Sequence, residues 1–593
     1  MKQYLKCTVL TLMVAMITIP VFGGGGPLNP DLKTHKKSLQ KWLDLRFGLS
    51  IHWGPVAMRG TEIGWSRGRE VPIEEYDRLY KEFDPVLYDA NEWVSLMQEA
   101  GMKYITFVAK HHDGFTLWDS AHTDYDITAT PHRRDMLKEL ADACRRGGIM
   151  FGTYYSIIDW YQYDYVPRYR HDPRPTEGAN MDRYVAYLKN QVQELIEKYD
   201  TDIFIFDGQW NDTWTPERGR DLYRHVRRLK NAIVVNTRVD QGGDLESNAG
   251  DFVSSEQYIP RYQESPWESW ITLGDQWAWK ANDTNKSAEV CIRMLLEIVG
   301  GNGNFNLNVT PMPDGRFEGR QKHILRTIGA WLKKNGASIY GTRGGPFLPT
   351  RNFVSTRKEN RVYLHLMDGK PEVFLPGIKR KIEKAALLNG RPVRLGRTDK
   401  GVWIKPEKSD LDKLDTIVVL TLDGSAMELD TVPTPSSLEL GKYGKWISRD
   451  ATYVASSLSA ENNKPQDNPK LLNGESLEAE YSFSAGREPK PYIVIDLQRT
   501  AQINAVEIVN RYGRRSRDAR TLTLWISQDK ENWKQVWSAR DATSGVWRVI
   551  RDIVFADPED STQQPLKARY VKLGLNDERL RPFCLRSVKV YGQ

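Results

Sequence analysis

The stretch KYITFVAKHHDGFTLWDS, residues 103–120, places two adjacent histidines directly after a run of apolar residues. The run is short and almost continuously apolar, which is typical of a strand buried on both faces of a parallel sheet. His111 and His112 come where this strand ends, and the Asp-Gly pair that follows favours a sharp turn. The stretch therefore predicts a parallel α/β fold with polar side chains at the carboxyl end of a strand.

Similar β-rich runs alternate with helical patterns from about residue 40 to about residue 340. The candidate strands are RFGLSIHW, KYITFVAK, IMFGTYYS, DIFIFD, AIVVNTR, DFVSSE and NFNLNV. Between them, segments such as MDRYVAYLKNQVQELIEKY place apolar residues three and four positions apart. The alternation predicts an α/β, (β/α)8-like barrel of the TIM type with one strand unrecognised, and a doubly wound open sheet is the alternative.

The rest of the chain divides into a leader and two all-β segments. Residues 1–26 combine two lysines, an apolar run and small residues, which is typical of a signal peptide, so we expect export to the periplasm or beyond the cell. We assign residues 27–342 to the barrel, 343–424 to a β-sandwich, 425–437 to a linker and 438–593 to a second β-sandwich. The apolar run is short for a membrane span and none follows, so we expect no transmembrane span in the mature protein.

The composition argues against a nucleic-acid partner and is compatible with a sugar ligand. The net charge of +7 comes from 84 Lys and Arg against 77 Asp and Glu, and no dense basic block appears, so we expect no nucleic-acid partner. The 19 Trp and 27 Tyr suit the apolar faces of sugars, although large cores also use such residues. Nothing in the sequence fixes the oligomeric state.

Six candidate strands end in a polar or aromatic residue. These residues are His52, the pair His111 and His112, Tyr155, Asp207, Arg238 and Glu256. Because catalytic residues of such barrels come from the carboxyl ends of the strands, we expect these side chains to converge on one mouth.

Two carboxylates stand out among them. Asp207 lies between IFIF and GQW, an apolar surrounding in which its charge needs a partner or a function, although it could simply cap the next helix. Glu256 is less distinctive, and Glu268 in SPWESW competes for the same role. Two carboxylates on neighbouring strand ends favour glycoside hydrolysis, with retention if they lie roughly 5 to 5.5 Å apart.

The histidine pair has three interpretations. A core role for both is disfavoured because adjacent strand residues face opposite sides. A metal site with His52, Asp207 and Glu256 stays open, although the spacing matches no ligand signature. We favour neutral rings that donate to and accept from substrate hydroxyls.

Residues 38–342 resemble glycoside hydrolase family 29, the α-L-fucosidases. The resemblance rests on the ordered motifs FGLSIHWGP, MKYITFVAKHHDGFTLWDS, TDIFIFDGQW, GDFVSSEQYIP, PWESWITLGDQWAW and GGNGNFNLNVTPMPDGRF. It implies a retaining exo-hydrolase that releases terminal L-fucose from fucosylated glycans through a covalent fucosyl-enzyme intermediate, with no cofactor. Asp207 matches the family's nucleophile, and Glu256 matches its acid/base, with Glu268 in reserve.

The resemblance also implies a fucose pocket. The residues that match pocket positions are His52, His111, His112, Tyr155, Arg238, Trp277 and Trp279. Many relatives have an adjacent Glu-Trp pair after the first strand, whereas here Glu62 and Trp65 are separated, so which of them touches the sugar is open. Arg67 and Arg69 in WSRGRE lead to the hypothesis that an anionic or sulfated fucoside is accepted.

Residues 438–593 resemble a discoidin-like, F5/8 type C module through PYIVIDLQRTAQINAVEIVNR, TLTLWISQDKENWKQVW and ARYVKLGL. The resemblance implies a carbohydrate-binding module as one role for it; a structural Ca²⁺, often found in such modules, is not predicted.

Three alternatives to a fucosidase stay open: a metal-dependent hydrolase, a non-catalytic glycan-binding protein, and an exo-glycosidase for a similar sugar such as an L-galactoside or β-galactoside.

Overall fold

A computed structural model of the protein describes residues 32, 35–169, 172–260, 262–350, 353–435, 438–459, 472, 482–511, 519, 521–539, 550–557 and 562–593. The signal peptide predicted over residues 1–26 lies outside the described residues.

Eight parallel strands form the N-terminal sheet. In chain order they are β1 (Phe47–Ile51), β2 (Tyr104–Lys110), β3 (Met150–Ser156), β4 (Ile203–Asp207), β5 (Val234–Val235), β6 (Val253–Glu256), β7 (Trp267–Thr272) and β8 (Asn304–Asn308). Hydrogen-bonded neighbours follow the order β5-β4-β3-β2-β1-β8-β7-β6, and a parallel bridge between Asn236 and Phe252 joins the two edge strands. This topology confirms the predicted TIM-like barrel.

The strand that the sequence did not reveal is β7, with the sequence WESWIT. Glu268 and Ser269 interrupt its apolar residues, and Pro266 stands immediately before it. Every residue of the strand is nevertheless buried, because it lies between β6 and β8 in the barrel wall.

Helices surround the barrel wall and one helix lies against its interior. They are α1 (Lys36–Leu45), α2 (Ile73–Tyr76), α3 (Ala90–Glu99), α4 (Met136–Gly147), α5 (Met181–Glu197), α6 (Pro216–Leu229), α7 (Ala288–Gly300) and α8 (Gly319–Asn335). Side-chain oxygens of Asp89 and Asn180 accept the first free backbone amides of α3 and α5, which fixes where these helices begin. Trp42 of α1 packs among inward side chains of the strands, such as Ile205, and so helps to fill the barrel interior.

Antiparallel sheets follow the barrel, as the alternating pattern predicts. The strands β9 (Arg343–Gly344), β10 (Phe353–Lys358), β11 (Arg361–Leu366), β12 (Val373–Pro376), β13 (Ile382–Leu387), β14 (Arg394–Arg397), β15 (Gly401–Lys405) and β16 (Thr416–Leu422) form a five-stranded and a three-stranded sheet. The strands β17 (Lys445–Trp446), β18 (Thr452–Ala455), β19 (Phe483–Ser484), β20 (Tyr492–Asn510), β21 (Leu522–Ser527), β22 (Lys534–Ser538), β23 (Ile550–Val554), β24 (Leu566–Leu575) and β25 (Cys584–Gly592) form a nine-stranded sheet. The domain boundaries at 342, 424 and 438 stay predictions.

Candidate active site

A cavity of about 260 Å³ opens at the carboxyl ends of the barrel strands, which is room for a single monosaccharide. Its lining residues are His52, Trp65, His111, His112, Tyr154, Asp207, Gln209, Trp210, Arg238, Ser254, Ser255, Glu256, Tyr258, Trp270 and Trp277. Most of the side chains that the sequence singled out therefore do converge on one mouth.

Two carboxylates of this cavity share one cation. Asp207 ends β4, Glu256 ends β6, and Arg238 lies between them in the turn that follows β5. Nη1 of Arg238 donates to Oδ1 of Asp207 at 2.6 Å and also donates to Oε1 of Glu256. Burial disfavours the charge of Arg238, but Glu256 and Asp207 outweigh it and raise its pKa. Oxygens that share a donor nitrogen lie within two hydrogen-bond lengths, at most about 6 Å apart.

The tyrosine in the cavity is Tyr154, whereas the sequence predicted Tyr155. The hydroxyl of Tyr154 donates to Oδ2 of Asp207 at 2.7 Å. Tyr155 faces the helices, where its hydroxyl donates to Gln191 of α5 at 2.8 Å. The assignment of Tyr155 to the pocket is therefore wrong, because alternate residues of a strand face opposite sides and Tyr154 shares the inward side with Ser156, the register partner of Asp207.

Two histidines present an unprotonated nitrogen to the cavity. Nδ1 of His52 donates to Oδ1 of Asn308 at 2.7 Å, and Nδ1 of His112 donates to Oγ of Ser156 at 2.6 Å, since that hydroxyl already donates to the carbonyl of Ile158. Burial lowers the pKa of His52 to about 4 and that of His112 to about 3. Both rings are therefore neutral near pH 7, and Nε2 of each is a hydrogen-bond acceptor.

A strand irregularity allows both histidines of the HHDG turn to reach the cavity. The register of β2 against β3 shifts between Val108 and Lys110, so Lys110 turns outward and its ammonium lies 4.2 Å from the Tyr155 ring centroid. His111 and His112 follow this shift and come after the last strand residue, where strict alternation no longer applies. Burial lowers the pKa of His111 too.

The loop after β1 packs directly on these histidines. Gly64 adopts φ +67°, and a Cβ there would lie 2.7 Å from Nδ1 of His111, so the position requires glycine. The next residue, Trp65, meets His112 edge to face with ring centroids 5.2 Å apart. Of the separated pair Glu62 and Trp65, the structure places Trp65 in the cavity lining.

Glu62 does not line the cavity but binds the backbone of Trp277, which does. Its carboxylate accepts the backbone amides of Trp277, at 2.9 Å, and of Ala278. Trp277 lines the cavity, with its ring centroid 4.8 Å from that of His52. Trp279 lies outside the lining, where its Nε1 donates to Glu318 at 2.8 Å. Glu62 and Trp279, which were predicted to be pocket residues, therefore do not line the cavity.

Glu268, the reserve acid/base, lies inside the barrel wall. It is fully buried on β7, and its carboxylate accepts from Nε1 of Trp270 and from the hydroxyl of Tyr104. Burial raises its pKa to about 7. Because it does not line the cavity, Glu268 supports Trp270, whose ring does.

The two arginines of WSRGRE have different surroundings. Arg67 is fully buried and binds Asp77 through two nitrogens, at 2.6 and 2.7 Å, and Asp172 through a third, at 3.1 Å. The hypothesis that Arg67 meets an anionic substrate is therefore wrong, since its guanidinium is already saturated by carboxylates. Arg69 is exposed and lines a second cavity beside the first.

Seven residues of the cavity lining were not predicted from the sequence. They are Tyr154, Gln209, Trp210, Ser254, Ser255, Tyr258 and Trp270. Gln209 and Trp210 follow Asp207 after one glycine, so their position after a strand end was a usable signal. Trp270 could not be found because its strand was not recognised.

Over the described part of the chain, no three His, Cys, Asp or Glu side chains come together in an arrangement that could hold a metal ion. Within the same residues, no helix is long and apolar enough to cross a membrane.

Comparison with known proteins agrees with this geometry. The family model described as alpha-L-fucosidase matches residues 28–337, just over half of the chain, and the F5/8 type C domain model matches residues 452–587. Plasma alpha-L-fucosidase of Homo sapiens is 28% identical over 427 residues, which cover 63% of this chain and 85% of that protein.

Two solved structures are also similar. Alpha-L-fucosidase isoenzyme 1 from Paenibacillus thiaminolyticus is 33% identical with a TM-score of 0.60, over 65% of this chain and 99% of that one. The GH29 alpha-L-fucosidase of Bacteroides thetaiotaomicron, described as a trapped covalent intermediate with 2-fluoro-fucosyl fluoride, is 25% identical with a TM-score of 0.61, over 66% of this chain and 97% of that one. The chain therefore belongs to the alpha-L-fucosidase family of glycoside hydrolases, family 29, and carries an F5/8 type C domain in its C-terminal part.

Proposed function

We propose that the protein is an exported, retaining α-L-fucosidase that releases terminal L-fucose from fucosylated glycans by double displacement. The observation that carries the mechanism is the shared bond of Asp207 and Glu256 to Nη1 of Arg238. It supports retention, because retaining enzymes hold their carboxyl groups about 5 to 5.5 Å apart and inverting enzymes about 6.5 to 9.5 Å.

Asp207 acts as the nucleophile and Glu256 as the acid/base. In the first step Glu256 gives its proton to the glycosidic oxygen while Asp207 forms a bond to C1 and the leaving group departs. In the second step Glu256 removes a proton from water, which attacks C1 and frees Asp207. The negative charge of Asp207 also stabilises the oxocarbenium-like transition states on either side of the intermediate.

Tyr154 and Arg238 keep Asp207 in position for this attack. The phenol donates to Oδ2 and the guanidinium to Oδ1, so each carboxylate oxygen has one fixed donor. Holding a nucleophile in one orientation removes part of the entropic barrier of the reaction.

The neutral histidines orient the sugar. With Nδ1 of His52 and His112 bound to Asn308 and Ser156, their Nε2 atoms are free to accept hydrogen bonds from ring hydroxyls. Trp277 offers an apolar face against which the C6 methyl side of fucose packs. Such a combination of polar acceptors and one aromatic wall suits a deoxy sugar.

Export and the role of the C-terminal module belong to the same proposal. The signal-peptide pattern of residues 1–26 supports export, and the F5/8 type C match over residues 452–587 supports a carbohydrate-binding module. Expression of the full chain tests export, because secretion requires the mature protein to be recovered outside the cytoplasm without residues 1–26.

The test of the activity is release of 4-nitrophenol from its α-L-fucoside by wild type, Asp207→Asn and Glu256→Ala, with azide added to each variant. We expect wild-type turnover, its loss in Asp207→Asn, and partial rescue of one carboxylate variant by azide. Turnover that survives Asp207→Asn would remove the nucleophile assignment. The 4-nitrophenyl β-D-galactoside and α-L-galactoside serve as controls, and faster hydrolysis of either would move the function to that sugar.

A further inference from the structure

A second cavity, of about 480 Å³, adjoins the first and shares Trp65 and Trp210 with it. Trp65 comes from the loop after β1 and Trp210 from the loop after β4, so these rings form the border between the cavities. If the first cavity holds the fucosyl residue, the second receives the leaving group. This step rests on the proposed function.

The second cavity has two arginines in its lining and no carboxylate. Arg69 is exposed and makes no ion pair within the described residues. Arg168 donates through Nη2 to the carbonyl oxygens of Tyr163 and Pro175, at 2.9 and 3.2 Å. Its Nε and Nη1 have no hydrogen-bond partner in the described part of the chain. Both arginines thus line one cavity without an ion pair in the described residues, and two buried nitrogens of Arg168 lack an acceptor there.

The carboxylate of Asp172, four positions after Arg168, is already bound by two other arginines. The side chain of Asp172 is fully buried and binds both Arg67 and Arg174. Arg174 also donates to the backbone carbonyl of Trp160, a residue that lines the cavity. Arg67 forms a second ion pair, with Asp77. Asp172 makes no ion pair with Arg168; it still favours the charge of Arg168, but burial and Arg174 outweigh it and lower the pKa of Arg168.

Aromatic rings form much of the remaining wall. Trp160 and Tyr169 stack with ring centroids 4.2 Å apart, and the planes of Trp65 and Trp210 are within 19° of parallel. Such rings pack against the apolar faces of sugars. A planar guanidinium next to them suits a carboxylate or a sulfate, each of which can accept two parallel hydrogen bonds.

We propose that the second cavity binds a leaving-group sugar that carries an anionic substituent, a carboxylate or a sulfate, with Arg168 and Arg69 as the groups that recognise it. This places the anion on the aglycone, not on the fucose.

The experiment compares fucosyl disaccharides of one linkage in which the second sugar is galactose, galactose 6-sulfate or galacturonic acid. We expect kcat/KM to be roughly 10- to 100-fold higher for one charged substrate than for the neutral one, which is the effect of one charge-assisted hydrogen-bond pair. The preference should shrink as the NaCl concentration rises, because salt screens exposed charges. The charged sugar that gains most identifies the anion as sulfate or carboxylate.

Four variants locate the effect. Arg168→Gln and Arg69→Gln should each reduce the ratio of charged to neutral kcat/KM. Arg168→Lys keeps the charge and should restore part of the ratio, and Arg69→Gln alters an exposed side chain that can change without disturbing the loop. Arg326→Gln, on the outer helix α8, is the matched control and should leave the ratio as in wild type.

A wild type that cleaves the neutral disaccharide as fast as both charged ones overturns the anion site, and so does an unchanged ratio in both Gln variants. In those cases turnover of the 4-nitrophenyl fucoside still upholds the fucosidase. Absence of turnover on every fucoside overturns the proposed function and this inference with it.

Discussion

The hydroxyl of Tyr154 donates a hydrogen bond to Oδ2 of Asp207 over 2.7 Å inside the barrel mouth. Burial and the neighbouring carboxylate of Asp207 raise the pKa of Tyr154 well above its ordinary value, so the phenol keeps its proton and stays a donor. The pair therefore has a fixed polarity, with Tyr154 as donor and Asp207 as acceptor.

Tyr154→Phe removes this bond and leaves the aromatic ring. A hydrogen bond to a charged group contributes about 1.5 to 3 kcal/mol, so we expect kcat/KM for 4-nitrophenyl α-L-fucoside to fall by roughly 10- to 150-fold. Tyr155→Phe is the matched control, since it removes the hydroxyl of the adjacent residue, which binds Gln191 behind the sheet. A larger loss in Tyr155→Phe than in Tyr154→Phe would contradict the placement of the two rings.

Glu256 lines the cavity, whereas Glu268 is buried in the barrel wall, so substituting them should have different effects. Glu256→Gln should abolish hydrolysis of substrates with poor leaving groups and preserve more activity on 4-nitrophenyl fucoside, whose leaving group needs little protonation. Glu268→Gln should keep kcat/KM close to wild type, because its carboxyl touches Trp270 and Tyr104 and does not line the cavity. Leaving-group dependence that appears in Glu268→Gln and not in Glu256→Gln would exchange their roles.

The buried histidines make the stability of the barrel depend on pH. The unfolded chain takes up a proton at each histidine as the pH falls through about 6.5, whereas the folded protein keeps His52 neutral to pH about 4 and His112 to about 3. Between these values the unfolded state binds more protons, so the free energy of unfolding decreases on acidification, by about 1.4 kcal/mol per pH unit for each histidine.

Urea unfolding of the barrel between pH 4.5 and 6.5 measures this slope. His112→Gln should reduce it by up to one histidine's share. Equal slopes in wild type and His112→Gln would show that His112 is not held neutral in the folded state.

Lys110 and Asp159 form a buried ion pair behind the cavity, with Nζ 2.8 Å from Oδ2. Removing one partner leaves a buried charge uncompensated, so Asp159→Ala and Lys110→Met should each destabilise the barrel by about 3 to 5 kcal/mol. The double variant should lose less than the sum of the two, because it removes both charges. Denaturant unfolding of the three variants measures this coupling, and strictly additive losses would contradict the ion pair.

The sequence predicted the barrel and most of its mouth because the signals are local. Several strands are largely apolar runs, such as β2 and β4, and the side chain that follows such a run lies at the carboxyl end of the barrel. The position of Asp207 after IFIF is the clearest case.

The site features that the sequence did not predict depend on the direction in which a side chain points. Tyr154 and Tyr155 are adjacent and alike, and only the register of β3 against β4 decides which ring faces inward. Glu268 was a candidate acid/base in the sequence, but it lies on β7, where its side chain is buried in the barrel wall. Arg67 and Arg69 look equivalent in WSRGRE, and their separation depends on Asp172, more than 100 positions along the chain.

The proposed mechanism requires Asp207 to form the covalent bond to fucose. The most direct measurement is to incubate the Glu256→Gln variant with 2-deoxy-2-fluoro-α-L-fucosyl fluoride, digest the protein and locate the added sugar by mass spectrometry. We expect one fluorofucosyl group on the peptide that contains Asp207, and none when Asp207 is replaced by Asn. A label on any other carboxylate, or labelling that persists in the Asp207→Asn protein, would contradict it.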